Sequence, residues 1–298
     1  MVKSPTVGAR RSPRLRYFYK AFVSLAWKNV TTVIIASLLF LIAAFVSNLN
    51  ASARTAKPEE VTFPSGNLLL HGFIYKPQGN GPFPAILYNH GSEQNPSWKP
   101  ALGEFFSSRG YVFFVPHRRG HGRSLHDFFV KSLRAQGAGG AIALHETHLE
   151  DQLAALAYLT QLSDVDSHRI AVAGCSYGGI QTVLALEANA EQKLGLRAAI
   201  DFAGGAMSWR SSSLRARMIS AVRKATIPVL FIQAENDYDL GPSRTLAGEL
   251  EQLAKPHKLL IFPPYGHTRE EGHGGFCGQA TNVWGPAVTS FLDAAMEK

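Results

Sequence analysis

One serine lies where the sequence predicts a tight turn between a strand and a helix. Residues 174–179 are Gly-Cys-Ser-Tyr-Gly-Gly, with an apolar run before them and a helical pattern after them. A nucleophile on such a turn needs small neighbours, because the strained backbone leaves no room for larger ones. Gly174 and Gly178 supply that clearance, and the following helix N-terminus favours developing negative charge. We therefore predict that Ser176 is a nucleophile; the alternative is a glycine-rich turn with a solvated serine.

A carboxylate is expected after a later strand, because the partners of such a serine follow in the order acid, then histidine. The loop after the predicted strand 229–233 contains Glu235, Asp237 and Asp239. A carboxylate that leaves the C-terminal end of a strand can reach an imidazole across the sheet edge. Asp237 is the predicted acid, and ordinary helix capping ahead of Pro242 is the alternative role for these carboxylates.

Two histidines follow the last predicted strand, and either could act as the base. The spacing from the strand favours His267, while the glycine-flanked position favours His273, so the residues alone leave the choice open. An oxyanion hole needs two N–H donors that point at one site. The backbone N–H groups of Tyr177, directly after the nucleophile, and of Ser92, in the loop after the third strand, are the predicted donors.

Short apolar runs alternate with helical patterns beyond residue 58, which predicts a mostly parallel sheet with crossover helices. The first two strands should form an antiparallel hairpin around 64–67. Residues 125–143 are predicted as a loop, and 207–224 offer the only room for a cap. The strand predictions are 61–63, 68–75, 84–89, 111–116, 170–174, 198–202, 229–233 and 259–262; the helix predictions are 144–162, 177–188, 242–254 and 284–296.

Taken together, these motifs resemble the α/β-hydrolase superfamily over about residues 60–298. Within it the sequence looks most like dienelactone-hydrolase-like and prolyl-oligopeptidase-like serine hydrolases. The resemblance implies a mostly parallel eight-stranded sheet with helices on both faces and a minimal cap. It also implies that His273 is the base, because one branch has its catalytic histidine in a Gly-His pair near the last helix. The matching motifs are Asn89-His90-Gly91-Ser92, Arg118-Arg119-Gly120-His121-Gly122-Arg123-Ser124, residues 174–179, Asn236-Asp237, 262–266, Gly272-His273 and Trp284-Gly285-Pro286.

The chain departs from two members of this group. Dienelactone hydrolase itself uses a cysteine nucleophile, whereas Ser176 stands at the matching position here, so lactone specificity is not implied. No propeller domain precedes the hydrolase-like body, so the size filter of prolyl oligopeptidases is not expected.

The positive charge is concentrated in the first 53 residues, which contain seven Lys or Arg and no Asp or Glu. Of the formal net charge of +8, only +1 remains for residues 54–298. A nucleic-acid-binding domain is expected to be basic on its folded surface, so nucleic-acid binding is not predicted.

This basic leader continues into an uncharged apolar run over 30–46, followed by a small-residue triplet at 51–53. The pattern predicts an export signal, either an uncleaved N-terminal hydrophobic helix that anchors the chain in the membrane or a cleaved signal peptide. The basic flank should stay in the cytoplasm, which places the catalytic domain, 54–298, outside it. The protein would be secreted or periplasmic if the leader were removed.

Two cysteines, Cys175 and Cys277, are too few for a disulfide framework. Cys175 is a rival nucleophile in principle, but its register turns it away from the tip of the turn. Because it ends a predicted buried strand, both cysteines are expected to be reduced, although one bridge is possible in an oxidising compartment.

His145 and His148 stand near Glu146 and Glu150 on a predicted helix. The spacing is not a zinc motif, and no third ligand is evident, so a solvated polar helix face is expected. Arg118, Arg119 and Arg123, in the basic motif after the fourth strand, could hold an acidic substrate group, but they are expected instead to tie down the loop beside the site.

These residues predict a serine hydrolase that acts on a small-molecule ester or related acyl group, with no metal or organic cofactor. Two alternatives remain: a serine peptidase for short peptides, and a catalytically silent binding protein with the same fold. The sequence gives no prediction of the oligomeric state.

Overall fold

The computed structural model describes residues 57–124 and 135–297. The predicted leader 1–53 and residues 125–134 lie outside the described residues. Within the described ranges, no helix combines the length and the hydropathy needed to cross a membrane.

Eight strands form one sheet, in the order β1-β2-β4-β3-β5-β6-β7-β8. β2 pairs antiparallel with β1 and with β4, and every other neighbouring pair is parallel. The predicted opening hairpin is confirmed, since Ser65 pairs with Leu68 across its turn. The strands are β1 (Glu59–Ser65), β2 (Leu68–Tyr75), β3 (Phe83–Asn89), β4 (Val112–Pro116), β5 (Val165–Cys175), β6 (Leu196–Phe202), β7 (Val229–Ala234) and β8 (His257–Phe262).

Seven α-helices and one π-helical turn connect or follow the described strands. They are α1 (Pro100–Ser107), α2 (Gly137–Thr160), α3 (Tyr177–Gln192), α4 (Ser212–Arg223), α5 (Gly241–Gln252), the π-helical turn Glu271–Gly275, α6 (Phe276–Gln279) and α7 (Thr281–Met296). The loop prediction fails over 137–143, where α2 has already begun. Glycine disfavours a helix by about 1 kcal/mol per residue, and the packing of Ile142 against the core and the burial of Leu144 oppose that cost.

The segment 207–224, expected to offer room for a minimal cap, is instead mostly a crossover helix. Leu214, Met218 and Val222 repeat at helical spacing along α4 and are buried in the core. This apolar stripe packs α4 into the core beside α3 and α5.

Two separate hydrophobic clusters cover the two faces of the sheet, as predicted. One contains residues of α2, α3, α4 and α5, and the other contains residues of α1, α6 and α7. Adjacent residues of β5, Val172 and Ala173, belong to different clusters, because successive strand side chains point to opposite faces. The parallel strands β3 to β7 all end at one edge, where the loops that carry the predicted site residues begin.

Candidate active site

Ser176 occupies the turn between β5 and α3. Its backbone has φ +57° and ψ −115°, a conformation that is costly for any residue except glycine. The Ser176 N–H donates to Phe202 O at 2.8 Å, and the Ser176 carbonyl accepts from Ile180 N–H at 3.1 Å. These bonds hold the strained turn in place, as expected for a prearranged nucleophile.

The two flanking glycines are required by the space around the turn. A β-carbon at Gly174 would lie 2.2 Å from Gly178 O, and one at Gly178 would lie 1.9 Å from Asn89 O. Both obstacles are backbone atoms that cannot rotate away, so a side chain at either position would displace the turn.

Asp237 and His273 form a direct pair at the carboxyl edge of the sheet. His273 Nδ1 lies 2.8 Å from Asp237 Oδ1 and 3.0 Å from Oδ2, and both side chains are buried. A carboxylate only accepts hydrogen bonds, so Nδ1 carries the proton and Nε2 keeps its lone pair. Among the described residues, no hydrogen-bond partner reaches His273 Nε2. The imidazole therefore has the tautomer that a general base needs.

His267 lies apart from this pair. It is exposed, and its backbone N–H donates to Glu271 Oε2 at 2.7 Å. Its position is that of a surface histidine.

Asn236 fixes the segment that carries His273, a role that sequence reasoning missed. Its Nδ2 donates to Tyr265 O at 3.0 Å and to Thr268 O at 2.9 Å, while its Oδ1 accepts from Tyr265 N–H at 2.9 Å. Because Asn236 directly precedes Asp237, these bonds set the separation of acid and base.

Cys175 and Cys277 form a disulfide, so the expectation that both are reduced is wrong. Cys277 lies in α6, directly after the π-helical turn that contains His273. Burial of both cysteines was predictable from their surroundings, but burial does not distinguish a free thiol from a disulfide. Their sequence separation of 102 residues gave no sign that the fold brings them together.

The two predicted oxyanion donors lie after β3 and β5. Ser92 is exposed, and in the part of the chain that the structure describes its N–H has no hydrogen-bond partner. Arg118 Nη1 donates to His90 O at 2.8 Å and its Nη2 to Gly91 O at 2.7 Å, which confirms that Arg118 ties this loop down.

Two comparisons with known protein sequences give matches to this chain. The model of the prolyl oligopeptidase family matches residues 98–209, which include Ser176. The quorum-quenching protein AidA of Acinetobacter baumannii (strain MDR-ZJ06) is 29% identical over 133 residues, which are 44% of this chain and 40% of AidA.

Solved structures share the fold at low identity. Acylaminoacyl peptidase from Pyrococcus horikoshii superposes with a TM-score of 0.63 at 19% identity, covering 85% of this chain and 44% of the peptidase. A Klebsiella pneumoniae protein described as a dienelactone hydrolase has a TM-score of 0.57 at 16% identity, covering 76% of this chain and 98% of that protein. The chain has the α/β-hydrolase fold. The resemblance predicted from the motifs is confirmed, and the chain spans less than half the length of AidA and of the peptidase.

Beside the candidate oxyanion hole, the structure contains a buried aromatic cluster that the sequence did not predict. The Tyr177 ring stacks on His145 at 4.4 Å between centroids, and the Tyr177 hydroxyl lies 2.9 Å from His148 Nδ1. His145 is only 5% exposed and His148 is fully buried, so the predicted solvated helix face is wrong. The histidine face of α2 turns inward because Tyr177 and Gln181 contact these two histidines there.

His148 and the nearby His90 are neutral at pH 7. Burial lowers the pKa of His148 and of His90 well below 6.5, and the charge of Arg118 lowers both further. In the described part of the hydrolase, no group of three or more His, Cys, Asp or Glu side chains is placed to hold a metal ion.

Asp201, near the end of β6, is a second feature that sequence reasoning missed. It is fully buried behind the turn, and its Oδ1 accepts from Gly204 N–H at 2.7 Å. A β-carbon at Gly179, in the first turn of α3, would lie 2.2 Å from this oxygen. Burial raises the pKa of Asp201 to about 7, so the carboxyl is partly protonated at neutral pH.

Proposed function

We propose that this chain is a serine hydrolase that cleaves an ester or a related acyl bond through a covalent acyl-enzyme. Ser176 is the nucleophile, His273 the base and Asp237 the acid. The observation that carries the proposal is the Asp237–His273 pair, which leaves Nε2 of a buried imidazole with its lone pair. The strained conformation of Ser176 supports it independently, because strain of this kind occurs at functional turns.

In the first half of the reaction, Ser176 Oγ attacks the substrate carbonyl while His273 Nε2 takes the hydroxyl proton. Asp237 stabilises the imidazolium that forms but does not itself become protonated. The N–H groups of Tyr177 and Ser92 donate to the oxyanion of the tetrahedral intermediate. The intermediate then collapses, the bond to the leaving group breaks, and His273 gives its proton to the departing alcohol.

In the second half, water replaces the alcohol. His273 Nε2 takes a proton from the water as its oxygen attacks the acyl carbon, and the oxyanion forms again in the same place. Collapse of this intermediate releases the carboxylic acid, and the proton on His273 returns to Ser176 Oγ. No net proton is consumed by the enzyme, so the cycle can repeat.

A second function, cleavage of short peptides, is favoured by one observation. The matching family model is that of the prolyl oligopeptidase family, and the fold resembles an acylaminoacyl peptidase. An amide has a poorer leaving group than an ester, so the same residues would have to protonate the amine before it departs. We place this second because the fold also resembles a dienelactone hydrolase over almost that whole chain.

We also propose that the catalytic domain works outside the cytoplasm, either anchored in the membrane through the N-terminal helix or released from it. The basic, acid-free leader supports export. The Cys175–Cys277 disulfide supports it too, because disulfides persist in oxidising compartments. In spheroplasts of cells that express the full chain, added protease should digest an anchored domain, and a released domain should appear in the periplasmic or culture fluid. A domain that becomes accessible only when the cytoplasmic membrane is lysed would contradict this proposal.

The test of the catalytic proposal is steady-state hydrolysis by the full chain and by Ser176→Ala. Matched substrates that share one acyl group as ester, thioester and amide separate the two functions. We expect ester and thioester turnover that Ser176→Ala abolishes. Turnover confined to the amide would favour the peptidase, and no turnover by a folded wild type would favour a silent binding protein.

A further inference from the structure

Arg118 is a buried cation beside the candidate oxyanion hole. It follows β4, is only 1% exposed, and donates from its two terminal nitrogens to the carbonyls of His90 and Gly91. Burying a guanidinium costs free energy unless its N–H groups find acceptors. The acceptors here are the carbonyl groups of the loop that carries Ser92.

One of these carbonyls belongs to the same peptide unit as a proposed oxyanion donor. The Gly91 carbonyl and the Ser92 N–H share a trans peptide bond, so they lie in one plane and point in opposite directions. The bond from Arg118 Nη2 to Gly91 O, at 2.7 Å, therefore also fixes the direction of the Ser92 N–H.

A second donor reaches the same carbonyl. His90 Nδ1 lies 2.9 Å from Gly91 O, and His90 Nε2 lies 3.4 Å from the backbone nitrogen of Arg118. Arg118 Nη2 also lies 3.0 Å from His90 Nδ1, and Nδ1 cannot both accept from Arg118 and donate to Gly91 O. With the proton on Nδ1, His90 donates to Gly91 O and its Nε2 accepts from the Arg118 N–H, which satisfies two of these three contacts. Two donors on one carbonyl, one of them charged, polarise the amide and make the Ser92 N–H a stronger donor.

The same guanidinium contacts the other half of the oxyanion hole. Arg118 Cζ lies 5.0 Å from the centroid of the Tyr177 ring, within the range of a cation–π contact. Tyr177 supplies the other proposed N–H donor, so one side chain contacts the peptide unit of the first donor and the ring of the residue that supplies the second.

We propose that Arg118 is a positioning residue that orients and polarises the oxyanion hole from behind. This inference rests on the proposed function, since it needs an oxyanion at Ser92 and Tyr177. It assigns Arg118 no contact with substrate: the residue acts through the Gly91–Ser92 peptide and the Tyr177 ring.

Substitution of two neighbouring arginines in the full chain tests the proposal. Arg118→Met removes the charge and the donors, and Arg118→Lys keeps the charge but replaces two terminal nitrogens by one. Arg119→Met is the matched control, because Arg119 donates to Asp151 and not to the loop. The probes are a trifluoromethyl ketone, whose serine adduct carries an oxyanion, and the matching secondary alcohol, which forms none.

For Arg118→Met we expect kcat to fall about tenfold to a hundredfold, somewhat less than loss of a whole donor costs, with KM nearly unchanged. The ketone should lose affinity by the same factor and the alcohol should not. The kcat and the ketone affinity of Arg118→Lys should lie between those of wild type and of Arg118→Met. If Arg118→Met does not fold, Arg118→Lys alone is compared with wild type. Arg119→Met should lower the unfolding temperature without changing the ratio of ketone to alcohol affinity.

The proposal would be overturned if the Arg118 variants lost ketone affinity and alcohol affinity by the same factor, as a merely structural role predicts. Full kcat in Arg118→Lys and Arg118→Met would overturn it as well. Either result with an active wild type leaves the proposed function intact. A folded wild type without hydrolase activity would overturn both.

Discussion

Cys175 and Cys277 are covalently joined, which ties the residue before Ser176 to the helix that follows the His273 turn. The proposed nucleophile and base come from segments far apart in the sequence. The disulfide and the bonds of Asn236 are the links that hold the base-bearing segment against the sheet edge. Loss of either link is expected to affect catalysis through the position of His273.

Reduction of the disulfide should destabilise the folded protein. Closing a loop of about 100 residues stabilises by about 4.7 kcal/mol in the chain-entropy model, which sets the upper range of the expected loss. We expect a reductant to lower the free energy of unfolding by several kcal/mol and to lower kcat, with recovery on reoxidation. Denaturant titration and turnover assays with and without reductant measure both effects.

Cys277→Ala serves as the control for this experiment. It should resemble the reduced wild type and should not respond further to reductant. If wild type with both thiols demonstrably reduced keeps its full stability and turnover, the cross-link has no such role.

Replacement of each candidate base by alanine should affect kcat/KM very differently. His273→Ala should lower kcat/KM by about 10⁴-fold or more, since the base of such a triad cannot be replaced by its neighbours. His267→Ala should leave kcat/KM close to that of wild type, because His267 is exposed and lies apart from Asp237. Kinetics with one activated ester suffice, and a large loss in His267→Ala alone would reverse the assignment.

A methyl group at Gly178 should disrupt the nucleophile turn. The added carbon would lie 1.9 Å from Asn89 O, so Gly178→Ala should lose most activity and destabilise the protein by about 1–3 kcal/mol or more. Gly248→Ala is the matched control, because Gly248 also lies inside a helix and has no neighbour within 4 Å of the added carbon.

The control should gain stability by up to about 1 kcal/mol, the difference in helix propensity between the two residues. Thermal unfolding and esterase activity of both variants check the pair. If Gly178→Ala and Gly248→Ala had the same unfolding temperature and the same activity, the turn would tolerate a side chain.

The buried carboxyl of Asp201 should make stability depend on pH. Burial raises its pKa from 3.8 to about 7, so between these values the folded state holds a proton that the unfolded state releases. Its contribution is therefore fully present below about pH 4, is lost as the pH rises through about 7, and is constant above that. At 1.36 kcal/mol per pKa unit, the loss is about 4 kcal/mol.

Asp201→Asn keeps the shape of the side chain and cannot ionise. From pH 4 to pH 7, wild type should lose unfolding free energy relative to the variant. Above pH 7, the difference between the two proteins should stay constant. Urea titrations across this range measure it, and parallel curves for the two proteins would contradict the pKa.

The fold was predictable from sequence because buried parallel strands leave continuous apolar runs, as in β7. The order serine, acid, histidine was predictable for a similar reason: Ser176 and Asp237 each follow such a strand. What the sequence could not supply were relationships set by long-range packing. The inward turn of His145 towards Tyr177 and the pairing of the two cysteines depend on which elements become neighbours.

Local sequence patterns also gave wrong predictions for two segments whose conformation depends on burial. The start of α2 is glycine-rich and resembles a loop, and the α4 segment resembles a small cap, yet both pack against other elements. The choice between His267 and His273 needed a resemblance to resolve it, because both follow the last strand. Only the three-dimensional arrangement places one of them, His273, on Asp237.

The central claim is that Ser176 is an activated nucleophile. The most direct measurement treats the full chain and Ser176→Ala with a fluorophosphonate and maps the adduct by mass spectrometry. We expect one adduct, on Ser176, that forms much more slowly in His273→Ala and is absent from Ser176→Ala. A folded wild type that remains unlabelled, or an adduct on another residue, would contradict it.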